Sequence, residues 1–462
     1  MNRSRHVWHA WGPLLAGLAA VALMFGAARP LAAQDQTTIT IVGTAKYRLA
    51  VPFFLAGSQV PQNLRTTFDS VLWNDLDQSA VVTMVGRSLY TSPAPAAESQ
   101  MNSAAVRAAW SQPPLSIQRL VFGQIAVQGK GLLIDAYLYN VTLPPGQGRL
   151  LARRYANPAT DEGARSLAHR LADDIIAALG FGHGIADSQI AFISNRTGHQ
   201  EVWTMDYDGH NQQRRTRLGA IAYSPRISPD GAELAFMSFA SGRPQIRLLS
   251  LLTNKFLPFP SFKGDLNETP AWSPDGRKLA FASKMNGSNL ELYTINANGA
   301  GLKRLTFSHG YDNFAPVWNP APPQGSSGQI AFVSTRLGLP SIFTMNADGS
   351  NVQHLPISGY AVSPSWSPNG SSLAFAWVRT GGGENSGASD VYLWFFATQK
   401  YEQLTHNGDR NDFPSWAPDN RHIVFESGPP YHTQLYTVAA DGSHPTMLTS
   451  RGENEMPNWS WH

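Results

Sequence analysis

Pro270-Ala-Trp-Ser-Pro-Asp-Gly-Arg-Lys-Leu-Ala-Phe281 decides the fold, because variants of it return through the whole second half of the chain. They are Pro225-Arg-Ile-Ser-Pro229, Pro316-Val-Trp-Asn-Pro320, Pro364-Ser-Trp-Ser-Pro368, Pro414-Ser-Trp-Ala-Pro418 and Pro457-Asn-Trp-Ser-Trp461, at intervals of 43 to 50 residues. A period of that length built from short strands and turns is the signature of β-propeller blades. Within one repeat, Pro270 to Ser273 reads as an inner strand, Asp275-Gly276 as a tight turn and Leu279 to Ser283 as a second strand. Leu290 to Asn296 alternates as a third strand, Asn298-Gly299 turns, and Lys303 to Thr306 makes the fourth, which completes one blade.

The phase of the repeat predicts how the array ends. Strands of the Leu/Ile-Ala/Val-Phe type occur at Ile190, Leu234, Leu279, Ile330, Leu373 and Ile423. The first has no Pro-x-Trp strand before it, and the last Pro-x-Trp segment, Pro457 to Trp461, has no strand after it. Joining the two fragments makes a sixth blade from both ends of the array and removes the exposed edges of an open one.

Working outward, Arg3 and Arg5 precede an apolar run from Leu14 to Phe25, and Leu31-Ala-Ala33 offers a cleavage site, so residues 1–33 read as a cleavable signal peptide for export. No Cys stands ahead of Gln34 to make it a lipoprotein signal. The segment carries Arg3, Arg5 and Arg29 and no acid, so its removal takes the formal net charge from +3 to zero. No basic footprint for nucleic acid remains. The absence of Cys excludes disulfides, thiol nucleophiles and Cys-zinc sites.

Residues 34–180 show no such period and read as a small α/β domain. Strands are expected over Thr38 to Val42, Leu49 to Leu55, Val81 to Val85, Leu120 to Val127, Leu132 to Val141 and Leu150 to Tyr155. Apolar spacing predicts one helix through Leu64, Phe68, Val71, Leu72 and Leu76, a short one over Ala104 to Trp110, and another through Ala164, Leu167, Ala168, Leu171, Ile175 and Leu179. Residues 181–188 form a linker and 189–462 the propeller.

Most chemical motifs have plain explanations. No His-Glu-x-x-His is present, and His199, His210, His309, His354 and His432 fall in loops. Gly325 to Gly328 lacks the setting of a nucleophile elbow, and the Gly381 to Gly387 run lacks a phosphate-loop Lys. The Asp-Gly and Asn-Gly pairs lack the alternating acids of calcium loops and are turn residues. Trp272, Trp318, Trp366 and Trp416 read as packing between blades, with a carbohydrate platform as the other reading.

One set suggests function. Residues just ahead of the Pro-x-Trp strands, Asn267, Glu268, Asp312, Asn313, Phe314, Asp412, Phe413, Glu455 and Met456, are expected to converge on the mouth of the central channel. Acids beside exposed Phe and Met form a candidate protein-docking surface; the plain reading is ordinary loop residues. Carboxylates there could also hold a Ca²⁺ ion, and otherwise no cofactor or metal is expected.

The chain resembles the TolB family of periplasmic proteins in Ala50-Val-Pro-Phe-Phe-Leu-Ala-Gly57, Phe122-Gly-Gln124, Met205-Asp-Tyr-Asp-Gly-His-Asn-Gln212 and Ser224-Pro-Arg-Ile-Ser-Pro-Asp-Gly231. The resemblance implies a non-catalytic, monomeric, periplasmic part of the Tol-Pal system, which supports outer-membrane integrity and constriction at division. It further implies that the propeller mouth, whose family loops are matched in location by Leu266 to Thr269 and Asp312 to Phe314, binds the peptidoglycan-associated lipoprotein Pal. The N-terminal segment bearing Gln34, Asp35, Thr38, Ile39 and Ile41 would engage TolA, although Gly43 to Arg48 is shorter than the family's Gly-containing stretch. The competing class is a propeller enzyme, a lactonase or lyase with a metal ion in its channel.

Overall fold

The computed structural model describes residues 46–326, 328–378 and 388–460. The signal peptide, the strand expected over Thr38 to Val42, the segment bearing Gln34, Asp35, Thr38, Ile39 and Ile41, the Gly381 to Gly387 run and Trp461 lie outside them.

In the α/β domain the sheet runs, in spatial order, Val82–Met84, Tyr47–Ala50, Arg119–Gln128, Gly131–Asn140 and Arg149–Pro158, with Leu55–Ala56 also beside Arg119–Gln128. The strand expected over Leu49 to Leu55 is therefore two pieces. Pro52 has no amide to donate, and the intervening backbone is held by side chains instead: Arg87 Nε donates to Val51 O at 2.9 Å and Phe54 N to Asp69 Oδ1 at 3.1 Å. Helices α1 (Gln62–Gln78) and α3 (Asp161–Ala178) bury the predicted apolar stripes, while α2 (Ala104–Ser111) contributes Trp110 to a separate cluster with Met101, Leu120 and Phe122. Thr160 caps α3 by accepting from Gly163 N at 3.0 Å. The chain leaves α3 through Gly180 at φ +87°, where a side chain would be strained.

The propeller has six four-stranded blades. Blade 1 is built from both ends of the array: Asn454–Trp459 pairs antiparallel with Gln189–Ser194, with Trp459 opposite Ile190 and Asn454 opposite Ser194. The inner strands of blades 2 to 6 are Ala222–Ile227, Asn267–Trp272, Asn313–Trp318, Ala361–Trp366 and Asn411–Trp416. Second strands such as Lys278–Ser283 are apolar because both of their faces are covered; Leu279, Ala280, Phe281 and Ala282 are fully buried.

Two local devices repeat. In the Ser-Pro-Asp-Gly turn, Ser273 Oγ donates to Asp275 Oδ1 at 2.6 Å and accepts from Lys278 N at 2.9 Å, while Gly276 takes φ +67°. The Asp carboxylate is thus occupied by the turn itself. The second device is a β-bulge in every inner strand. Its third residue, Ser224, Thr269, Ala315, Ser363, Phe413 or Met456, has φ between +47° and +53°, and the pairing register shifts there in all six blades.

The α/β domain docks on the lower face of the propeller, the side of the Ser-Pro-Asp-Gly turns. Tyr207, from the turn after the third strand of blade 1, donates to Asp75 Oδ1 of α1, and His169 Nδ1 of α3 lies 2.8 Å from Asp75 Oδ2. On blade 6, Arg421 donates to Phe181 O at 2.9 Å, and the ring nitrogens of His422 lie 2.6 Å from Asp419 Oδ2 and 2.8 Å from Gln78 O. The segment 181–188 is anchored as well, since Ala186 N and Asp187 N both donate to the Asp173 carboxylate.

Candidate functional site

The inner strands begin at the upper face, opposite the α/β domain, and the residues expected at the mouth separate there into two groups. The first group is structural. Asn267 and Asn313 are fully buried. Asn267 Oδ1 accepts from Ser283 Oγ at 2.7 Å, and Asn313 Nδ2 donates to Glu291 Oε2 of the preceding blade at 3.2 Å. Asn411 and Asn454 make the same kind of link, to Asp390 and Gln434. Asp312 clamps two loops, accepting from Leu290 N at 2.7 Å and donating its own amide to Thr335 Oγ1 at 2.9 Å. Thr269 Oγ1 accepts from Ala315 N of the next blade at 3.2 Å.

Phe314 corrects the expectation of an exposed aromatic anchor. It is only 8% exposed and packs in a core with Leu290, Leu305 and Phe332, with Leu266 against its edge. The bulge one residue later is the reason, because it changes which side chains of the strand face the channel. Phe413 and Met456, which occupy the bulge position itself, are half-buried.

The second group is acidic. Asp412 stands directly across from Glu426 in blade 6, and Arg410 lies 3.2 Å from the first and 3.7 Å from the second. Two carboxylates directly opposite repel, and this pair is further crowded by Glu455 of blade 1. Burial, together with Asp412 and Glu455, raises Glu426 well above the usual carboxylate range. Its Oε2 accepts from Met456 N at 2.9 Å across the seam where the ring closes. Glu455 is pushed up to about 7 by burial and by the neighbouring Glu453, and accepts from Gln200 Nε2 at 3.3 Å. Across the channel, burial pushes Glu268 up to about 7 against the pull of Lys284. Among the described residues, no three of His, Cys, Asp or Glu gather in an arrangement that could hold a metal ion.

Exposed apolar residues without a distinctive sequence motif share the upper face with this recess. The loops joining second to third strands also lie on the upper face. They present Tyr431, 80% exposed, in blade 6, and Leu337 and Leu339 at the hairpin tip of blade 4. Phe307, beneath the Arg304 guanidinium, lies on the segment leading into the inner strand of blade 4. An apolar residue beside Gly or Pro at such a tip, as in Gly428-Pro-Pro-Tyr431 and Leu337-Gly-Leu339, was the available signal. The upper face can therefore seat an apolar surface at its rim and a cationic or hydrogen-donating group in its centre.

Of the repeated tryptophans, Trp272 donates to Arg226 O of the preceding blade at 3.0 Å, whereas the indole nitrogens of Trp318, Trp366 and Trp416 are buried without a hydrogen-bond partner among the described residues. Asp206-Tyr-Asp-Gly-His-Asn211 is the docking segment of the lower face: besides Tyr207, it supplies Asp208, which pairs with Arg165 of α3.

A sequence profile of the TolB beta propeller domain matches residues 178–462. Similar proteins include a protein TolB homolog of Chlorobium chlorochromatii, 34% identical over 215 residues, 46% of this chain and 45% of that one. The Tol-Pal system protein TolB of Geobacter metallireducens is 35% identical over 205 residues, 42% of this chain and 43% of that one. These matches span less than half the length of either relative. The crystal structure of TolB from Acinetobacter baumannii superposes with a TM-score of 0.73 at 25% identity, covering 90% of this chain and 96% of that one. The chain belongs to the TolB β-propeller family.

Proposed function

We propose that this protein is a non-catalytic, periplasmic and monomeric component of a Tol-Pal-like envelope system. It holds a peptidoglycan-associated lipoprotein at the upper mouth of its propeller and so supports outer-membrane integrity and constriction during division. The observation that carries the reading is the acidic recess of Glu268, Asp412, Glu426 and Glu455 on the same face as exposed Tyr431, Leu337, Leu339 and Phe307. Apolar anchors around a polar, partly desolvated centre supply interface energy. The names of the relatives support the choice of system. The segment from Gln34 to Ile41 is assigned to a TolA-like partner on the resemblance alone, and no cofactor enters the reading. The competing lactonase or lyase requires several acids, histidines or asparagines around one ion, whereas Asp412 and Glu426 lie against Arg410.

The test is equilibrium binding of the signal-free protein to the soluble domain of a Pal-like lipoprotein. Tyr431→Ala is expected to weaken binding at least tenfold. Leu252→Ala, 84% exposed in the turn after the third strand of blade 2 on the lower face, is expected to leave it unchanged. Equal effects of the two substitutions, or no binding by the unsubstituted protein, would remove the mouth from the account.

A further inference from the structure

Below the mouth, the central channel contains a cation with no counter-charge among the described residues that line it. The fifth residues of the inner strands, Arg226, Ala271, Val317, Ser365, Ser415 and Asn458, line this space together with prolines and the indoles of Trp272, Trp318, Trp366 and Trp416. Among the described residues lining it, Arg226 is the only charged one. Its guanidinium makes one hydrogen bond, from Nη1 to Pro225 O at 2.9 Å. Burial lowers its pKa to about 10, with no acidic neighbour acting against the shift. The fold does not demand a cation at this position, because the other five blades place Ala, Val, Ser or Asn there in the same backbone setting. A half-buried guanidinium with no charged partner is only partly hydrated, and an anion beside it would offset that cost.

The geometry also restricts the anion. The planar fork of a guanidinium matches the two oxygens of a carboxylate, and walls of indole and proline suit a flat apolar body beside it. The space itself is small, about 90 Å³ and open to solvent, which restricts the body to a small one. We infer that Arg226 anchors a binding site inside the propeller channel for a small carboxylate carried on a flat apolar body, separate from the acidic mouth and independent of the partner proposed for it.

The test uses the signal-free protein titrated with sodium benzoate, read by tryptophan fluorescence and by calorimetry, with benzamide and inorganic phosphate as comparison probes. Benzoate is expected to give a saturable response that benzamide and phosphate do not. Arg226→Ala, which installs the residue found at Ala271, is expected to weaken benzoate at least tenfold without lowering the thermal midpoint. Arg226→Lys, which keeps the charge but not the fork, is expected to fall between. Equal responses to benzoate and benzamide, phosphate binding as tight as benzoate, or unchanged affinity in Arg226→Ala would each overturn the inference. Crystals soaked in benzoate provide a reading that needs no variant: the carboxylate lies on the Arg226 guanidinium, or the channel stays empty at saturating benzoate and the site is rejected.

Discussion

The Tyr207 hydroxyl donates a 2.6 Å hydrogen bond to the Asp75 carboxylate, tying blade 1 of the propeller to helix α1 of the α/β domain. Asp75, His169 and Tyr207 are all nearly inaccessible to solvent, and the His169 ring meets the Tyr207 ring edge-on at 5.9 Å. Burial alone would lower the pKa of His169, but the Asp75 hydrogen bond and charge outweigh it and leave the group raised. Tyr207→Phe removes a hydrogen bond to a buried carboxylate and keeps the ring. The expected loss is about 1.5–3 kcal/mol in chemical denaturation, with the two domains separating earlier in the unfolding curve. A variant as stable as the parent would show that Asp75 is satisfied without the propeller.

Glu268 makes a pH-dependent contribution whose sign follows from its burial. Its folded-state pKa, about 7, lies above its unfolded value, so the folded protein binds the proton more tightly. Stability is therefore undiminished below the unfolded value near 4.5 and falls as pH rises through about 7, by roughly 3 kcal/mol once the group is ionised. Glu268→Gln is expected to be more stable than the parent at pH 8 and equal to it at pH 4. Parallel stability curves for the two proteins between these limits would refute the buried, raised carboxyl.

The blade count and the closure of the ring were legible in the sequence because Pro-x-Trp recurs in a fixed phase, and a missing strand at one end of the array is matched by a spare one at the other. The burial of Phe314 was not. Counting alternate residues along a strand works only while the pleat is regular, and each inner strand carries a bulge at its third residue, where a residue other than Gly takes a positive φ. The segment around Tyr207 was visible as a family signature, yet its partners Asp75 and His169 lie in another domain, at positions no local period connects to it. The exposed residues of the upper rim were hidden for the opposite reason: single apolar residues in loops are common and carry little information.

Trp459 bears on the closure directly. Its indole donates to Ser188 Oγ at 2.7 Å, its amide donates to Ser415 Oγ of blade 6 at 3.0 Å, and its side chain is 1% exposed. Trp459→Ala is expected to destabilise by about 3–5 kcal/mol, and hydrogen exchange should rise first in Gln189–Ser194 and Asn411–Trp416, the strands on either side of it. Exchange that rises uniformly around the ring instead would mean that the closing blade is no weaker a point than the other five.

Asn195 and Glu453, which bond to each other where blade 1 is completed, are 258 residues apart in the chain. The platform that receives the α/β domain through Tyr207 therefore belongs to the blade that is finished last. During synthesis its three earlier strands emerge with one edge unpaired, and they stay so until five further blades have been made. A docked α/β domain thus rests on a blade whose edge is sealed only after the other five have formed, which ties the junction of the two domains to closure of the ring.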